Sequence, residues 1–215
     1  MKILLFSCML IAFDMDGTLV EGNSWARINK HFGVEEKALK YMNDYLRGVI
    51  SYREFMNNVI RLWGNNVHIK DIERILERYK LMPGAEEVIS SLRSHGFTVA
   101  IITVGLDILA NKIADKLGIS HVIANGVETD ENGYLTGNGI CRVELGHKDK
   151  ALIKLAEKLD IPLSKTIAVG DSKYDKSMLE VSGFGIAYNA EPELAEIADA
   201  CINDLREILN YIKKI

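Results

Sequence analysis

Cysteine is scarce in this chain of 215 residues: Cys8, Cys141 and Cys201 are its only three, far apart in sequence. Their spacing fits neither a metal-binding set nor a disulfide framework, so they read as small buried hydrophobes in a reduced compartment. An excess of positive charge is also missing. The net charge is −4, whereas a phosphate backbone calls for a basic face, so nucleic acid is excluded as the main partner. No apolar run is long enough to cross a bilayer, which excludes a membrane partner. Repeats, low-complexity tracts and blocks of like charge are absent too, and no exposed apolar stripe marks an oligomer interface. Met1-Lys2 followed by Ile3 to Phe13 superficially resembles a secretory leader. Cleavage near Ala12 would remove the strand that leads into Asp14, so a cytoplasmic location is expected instead. Met9 is an alternative natural start, because Met9 to Phe13 already makes a sufficient strand.

What is present is an ordinary globular composition, 48% hydrophobic and 26% charged. It is enough for a full core in one large domain, or in one domain with an insert. The most informative stretch is Ile11-Ala12-Phe13-Asp14-Met15-Asp16-Gly17-Thr18. An apolar run ends abruptly in two carboxylates two residues apart. In extended chain, residues i and i+2 point to one face, so Asp14 and Asp16 can face the same cleft. Two close anions repel unless a cation sits between them or one is protonated. A hard divalent ion held by oxygens is the simplest solution.

Residues 21–82 carry no β-type run and read as a small helical bundle inserted in the chain. Asn23 and Ser24 can cap a helix over Trp25–Phe32, closed by Gly33. Glu35–Arg47 reads as a second helix. Ser51 with Glu54 forms a capping box for a third, reaching Trp63. Asp71–Leu81 reads as a fourth. Pro83-Gly84 marks a return to alternating strands and helices, which implies a mostly parallel sheet with helices on both faces. The strands expected there begin at Phe97, Thr166 and Gly185, with an Asp130–Gly133 hairpin turn between Val122–Thr129 and Tyr134–Thr136. Helices are expected over 85–94, 106–117, 150–159, 174–181, 191–198 and 205–212. The fold class is therefore α/β: a Rossmann-like three-layer core from residues 1–20 and 83–215, carrying a helical cap over 21–82.

Three of these strands end in polar groups. One ends at Asp14-x-Asp16, one at Thr103, and one at Gly170-Asp171-Ser172-Lys173-Tyr174-Asp175. Lys148 precedes the helix before the last of them. If the strands are parallel neighbours, these groups meet at one sheet edge, where open α/β sheets bind ligands. Carboxylates, a hydroxyl and a lysine describe a site for a phosphoryl group and a magnesium ion.

The set resembles the haloacid dehalogenase superfamily of phosphohydrolases. Asp14-Met15-Asp16-Gly17-Thr18 matches its first motif, Thr103 the second, Lys148 the third and Gly170-Asp171-x-x-x-Asp175 the fourth. The resemblance implies a C1-type cap and an aspartyl-phosphate mechanism. Asp14 would be the nucleophile, and Asp16 the acid and then the base. Mg²⁺ would be held by Asp14, Asp16 through its backbone oxygen, and Asp171. Asp175 would orient Lys148 or a metal-bound water. Thr103 and the amide of Val104 would bind phosphate, with Lys148 steadying it. Asp16 also argues against dehalogenation, where no leaving alkoxide needs a proton. Lys150 is an alternative to Lys148, and His147 reads as a helix-start residue.

Within the superfamily the chain resembles the phosphoserine phosphatase branch, through Asn132 to Gly137, Thr166 to Asp175, and Gly185-Ile186-Ala187 with Asp204 to Leu209. It departs from that branch at Gly17, at Thr103-Val104 and at Tyr174. Ungapped alignment also puts Asn23 and Asn58 where a cap Glu and a cap Arg hold the amino acid. A charge-assisted contact contributes about 1.5–3 kcal/mol. The expectation is therefore a phosphatase of a small-molecule phosphate ester other than phosphoserine, with Asn23, Trp25 and Asn58 on the substrate. The alternatives are a phosphoserine phosphatase and a phosphotransferase or mutase, which needs an acceptor site the sequence does not display. Trp63, Phe32 and Met56 read as packing.

Overall fold

The computed structural model describes residues 9–212. Cys8 and the question of a start at Met1 or Met9 lie outside the described residues or turn on them. The core is a seven-stranded sheet in the order β4-β3-β2-β1-β5-β6-β7. The central strand β1 (Leu10–Phe13) is flanked by β2 (Thr98–Leu106) and β5 (Thr166–Gly170). Outside them lie β3 (His121–Thr129) on one side, and β6 (Phe184–Tyr188) and β7 (Ala200–Ile202) on the other. All of these pairs are parallel; β4 (Leu135–Ile140) alone is antiparallel, on the β3 edge.

The inner strands read as continuous apolar runs because both faces are covered. Ile11, Phe13, Ile101 and Val169 pack on one face with Val88, Ile89 and Leu92 of α5 (Ala85–Ser94) and Leu109 and Ile113 of α6 (Asp107–Leu117). The alternate residues Leu10, Ala12, Ala100 and Ala168 pack on the other with Leu152 and Leu155 of α7 (Asp149–Lys158) and Met178 of α8 (Lys176–Val181). Period-2 alternation thus splits one short strand between two cores. Phe13 lies in register with Ile101 and Val169, so the residues that follow these three positions come out at one edge of the sheet.

Between β1 and α5 come four helices: α1 (Ser24–His31), α2 (Glu35–Leu46), α3 (Tyr52–Leu62) and α4 (Ile69–Leu76). Their ends follow local chemistry. The Asn23 side chain accepts the Ala26 amide, and Ser51 and Glu54 form the expected capping box. Trp63, 5.5 Å from Trp25 and stacked 6.3 Å from Phe32, anchors the interior of the insert. The insert is also tied to the β3–β4 hairpin: the Ile69 amide donates to Gly133, and the Leu135 amide to Val67.

Several elements differ from expectation. Helix α4 spans 69–76, not 71–81, because the His68 ring accepts the Lys70 amide and starts it earlier. Leu81 instead bridges Val20, and Met82 donates to Leu19, closing the two chain crossings into the insert. Tyr174 lies in a 3₁₀ turn before α8. The helix expected over 191–198 is only α9 (Pro192–Ala195), followed by β7, whose three residues are too few to show alternation. The last helix opens as a 3₁₀ turn and continues as α10 (Ile208–Ile212). Cys141 is half-buried and Cys201 exposed, both free, so neither is the fully buried hydrophobe expected. Among the described residues no helix is long and apolar enough to cross a membrane.

Candidate active site

Asp14 prolongs β1 by one residue, its amide donating to the Val169 carbonyl at 2.9 Å. The chain then turns sharply at Gly17, whose φ is +89°. A Cβ there would lie 2.4 Å from Asp171 Oδ2, so both the turn and the approach of Asp171 require glycine. Thr18 Oγ1 donates to Asp171 Oδ1 at 2.8 Å, fastening the end of β5 to the loop after β1.

Lys148, directly before α7, is 1% exposed. Its Nζ lies 2.6 Å from Asp14 Oδ1 and 2.5 Å from Asp175 Oδ1. One ammonium thus bridges two buried carboxylates. Asp175 is fully buried. Its second oxygen accepts the amides of Asp171 (3.2 Å) and Ser172 (3.0 Å) and the Ser172 hydroxyl (3.1 Å). Lys150 and His147 are exposed, which removes them from the site.

On the other side β2 shifts register against β3 between Ile102 and Leu106. Within this irregularity Thr103 Oγ1 accepts the Gly105 amide at 3.0 Å, leaving its own proton to donate elsewhere. The Val104 carbonyl accepts both Trp25 Nε1 (3.0 Å) and Asn125 Nδ2 (3.1 Å).

Asp16 is held from the insert. Its Oδ2 accepts the Ser24 hydroxyl at 2.6 Å and the Ser24 amide at 2.9 Å, while Oδ1 is buried with no partner.

The electrostatics follow from this crowding. Burial pushes the Asp14 carboxyl up to about 8; Lys148 opposes the rise, and the charges on Asp175 and Asp171 add to it. Burial raises Asp171 to about 6 against the Thr18 hydrogen bond. Burial also raises Asp16, against the two Ser24 bonds. Burial works against the charge on Lys148 as well, yet Asp14 and Asp175 hold its pKa above the ordinary lysine range. One ammonium does not balance this many carboxylates. Ligand atoms of Asp14, Asp171 and Asp175 lie within 4.8 Å of one another, a donor set of hard oxygens suited to a divalent cation. The Asp16 side chain is outside that cluster, turned to Ser24.

A cavity of about 620 Å³ opens above these groups, lined by Asp14, Asp16, Thr103, Val104, Lys148 and Asp171. Asn23 and Trp25 line it from the insert. Asn58 is not among the lining residues, so the structure does not place it where a substrate contact was expected. On α3 it is Tyr52 and Phe55 that reach the cavity. Of the two residues expected to cap this helix, Asn23 does so, and Ser24 holds Asp16 instead. Two adjacent capping-type residues in sequence were the available signal.

The haloacid dehalogenase-like hydrolase model matches residues 11–180. The chain belongs to that family, and within it is a phosphatase resembling the phosphoserine phosphatase branch. The phosphoserine phosphatase of Methanocaldococcus jannaschii is 38% identical over 207 residues, covering 95% of this chain and 97% of that protein. That of Archaeoglobus fulgidus is 34% identical over 195 residues, and this chain spans 56% of its length. A solved structure described as a phospho-aspartyl intermediate analogue of phosphoserine phosphatase superposes with a TM-score of 0.80 at 36% identity, covering 94% of this chain and 98% of that one.

Proposed function

We propose that the chain hydrolyses a small-molecule phosphate monoester through an aspartyl-phosphate on Asp14, with Mg²⁺ as cofactor. The observation that carries this is Lys148 held between Asp14 and Asp175, with Asp171 beside them and Asp16 opening into the same cavity. An Asp14 oxygen attacks phosphorus as the ester P–O bond breaks, and the leaving oxygen takes a proton from Asp16. Water then attacks the phosphoenzyme, giving its proton to Asp16, and Asp14 leaves from phosphorus. Thr103 donates to a phosphoryl oxygen, and Lys148 fixes Asp14 and faces the phosphoryl charge. Mg²⁺, held by Asp14, Asp171 and the backbone oxygen of Asp16, would neutralise charge on the phosphoryl group and on Asp14. Asp175 orients Lys148. The helical insert acts as a cap over the leaving group.

Phosphoserine is the substrate that the relatives' names support, and the comparisons favour it over the expectation drawn from Asn23 and Asn58. A different ester is favoured by one observation: Lys148 is the sole cation among the lining residues, and it serves the phosphoryl end. Steady-state hydrolysis of phosphoserine, sugar phosphates and nucleoside monophosphates, with and without Mg²⁺, tests the assignment. Phosphate release that needs Mg²⁺ and is lost in Asp14→Asn supports it. No release from any ester would falsify it.

A further inference from the structure

From the wall of the cavity opposite the carboxylates, we infer that the site selects a phosphate ester whose alcohol part is apolar and carries no carboxylate. The inference rests on the phosphatase reading and names the class of ester.

The cap side of the cavity is built of Trp25, Ala38, Leu39, Met42, Tyr52 and Phe55. Apart from Glu35, the polar groups on this side of the cavity are neutral amide, indole and phenol groups, and several of them are bonded within the protein. Asn23 Oδ1 accepts the Ala26 amide, and Asn29 Oδ1 accepts Trp63 Nε1 at 2.8 Å. Trp25 Nε1 is committed to the Val104 carbonyl, and the Tyr52 hydroxyl faces Asn125 Nδ2 at 3.4 Å. The one charged cap residue on the lining is Glu35, at the exposed N-terminus of α2.

The charge balance points the same way. Lys148 is pinned between two carboxylates at the phosphoryl end. A substrate carboxylate would therefore be desolvated beside Asp14, Asp16 and Glu35 with no cation to meet it. An apolar or aromatic group instead buries surface against Trp25, Met42 and Phe55, and the ring faces suit another ring. Leu39, on this wall, is 60% exposed.

Binding to the Asp14→Asn protein tests this apart from turnover. Inorganic phosphate, phosphoserine and 2-phenylethyl phosphate are titrated calorimetrically in Mg²⁺, while wild-type hydrolysis of the same esters tests the phosphatase reading separately. The expected result is 2-phenylethyl phosphate at least tenfold tighter than both phosphoserine and phosphate. Phosphoserine equal or tighter, or 2-phenylethyl phosphate no better than phosphate, overturns the inference even if hydrolysis proceeds. A second variant, Leu39→Arg on the exposed rim, adds the missing cation. It should narrow the preference for 2-phenylethyl phosphate over phosphoserine at least fivefold, and an unchanged ratio counts against the wall as the selector.

Discussion

Ser24, the first residue of the inserted helices, grips Asp16 twice: its hydroxyl at 2.6 Å and its amide at 2.9 Å both donate to Oδ2. The carboxyl proposed to shuttle the proton is thus held by the cap, not by the core that carries Asp14. The two bonds favour the charged form against burial, which raises the Asp16 pKa. Ser24→Ala removes the hydroxyl bond and keeps the amide. A hydrogen bond to a charged group is worth about 1.5–3 kcal/mol. On that scale kcat should fall roughly tenfold or more with KM little changed. Its pH profile should shift upward as Asp16 loses a group that favours its anion. Ser24→Thr, which keeps the hydroxyl, should restore most of the rate, and a profile unmoved in Ser24→Ala would count against this role.

Lys148 carries a stability consequence as well. Lys148→Met would leave Asp14 and Asp175 buried without their common cation. Breaking a buried pair by removing one partner costs about 3–5 kcal/mol. Urea denaturation at neutral pH should show a loss of that order.

The metal-free protein should have an unusual response to pH. A carboxyl whose pKa is higher folded than unfolded binds its proton more tightly in the folded state. Its contribution is present at low pH and lost as pH rises from about 4, the ordinary value, through about 6 for Asp171 and about 8 for Asp14. A cation at these oxygens competes with those protons. Thermal denaturation in chelator should therefore show Tm falling over this window, and the gain in Tm from Mg²⁺ should be larger at pH 8 than at pH 5. Equal gains would mean that the cation does not bind through Asp14 and Asp171.

Gly17→Ala should damage the site through backbone and contact together. The residue sits at φ +89°, and the added methyl would meet Asp171 Oδ2 at 2.4 Å. Forcing a non-glycine residue into such a region costs on the order of 1–3 kcal/mol. Calorimetric titration should show weaker Mg²⁺ binding, with the far-ultraviolet circular dichroism unchanged.

The sheet core was legible in the sequence because its inner strands are buried on both faces and stand out as short β-branched runs ending in charged or small residues. Asp14 and Asp171 were legible because each follows such a strand, and Lys148 because it directly precedes a helix. What lay beyond the sequence was set by tertiary contact. Nothing local distinguishes Ser24 as a partner of Asp16 from Ser24 as a cap, since both uses exploit the same hydroxyl. Phe55 and Tyr52 look like any core aromatic on an amphipathic helix, and only the placement of α3 turns them toward the cavity. Asn58, one turn on from Phe55, was given that place by counting residues. The tip of the sheet, β7, is three residues long and carries no periodicity to read.

The insert is stitched to the β3–β4 hairpin by two backbone hydrogen bonds, Ile69 to Gly133 and Leu135 to Val67, and around the cavity it meets the core through Ser24 on Asp16, Tyr45 on the Leu145 carbonyl and Trp25 on the Val104 carbonyl. Trp25 is at once a fastening of the insert and part of the cavity wall, so an occupant seated there alters the surroundings of its indole. Its emission would then serve as a built-in reporter of occupancy.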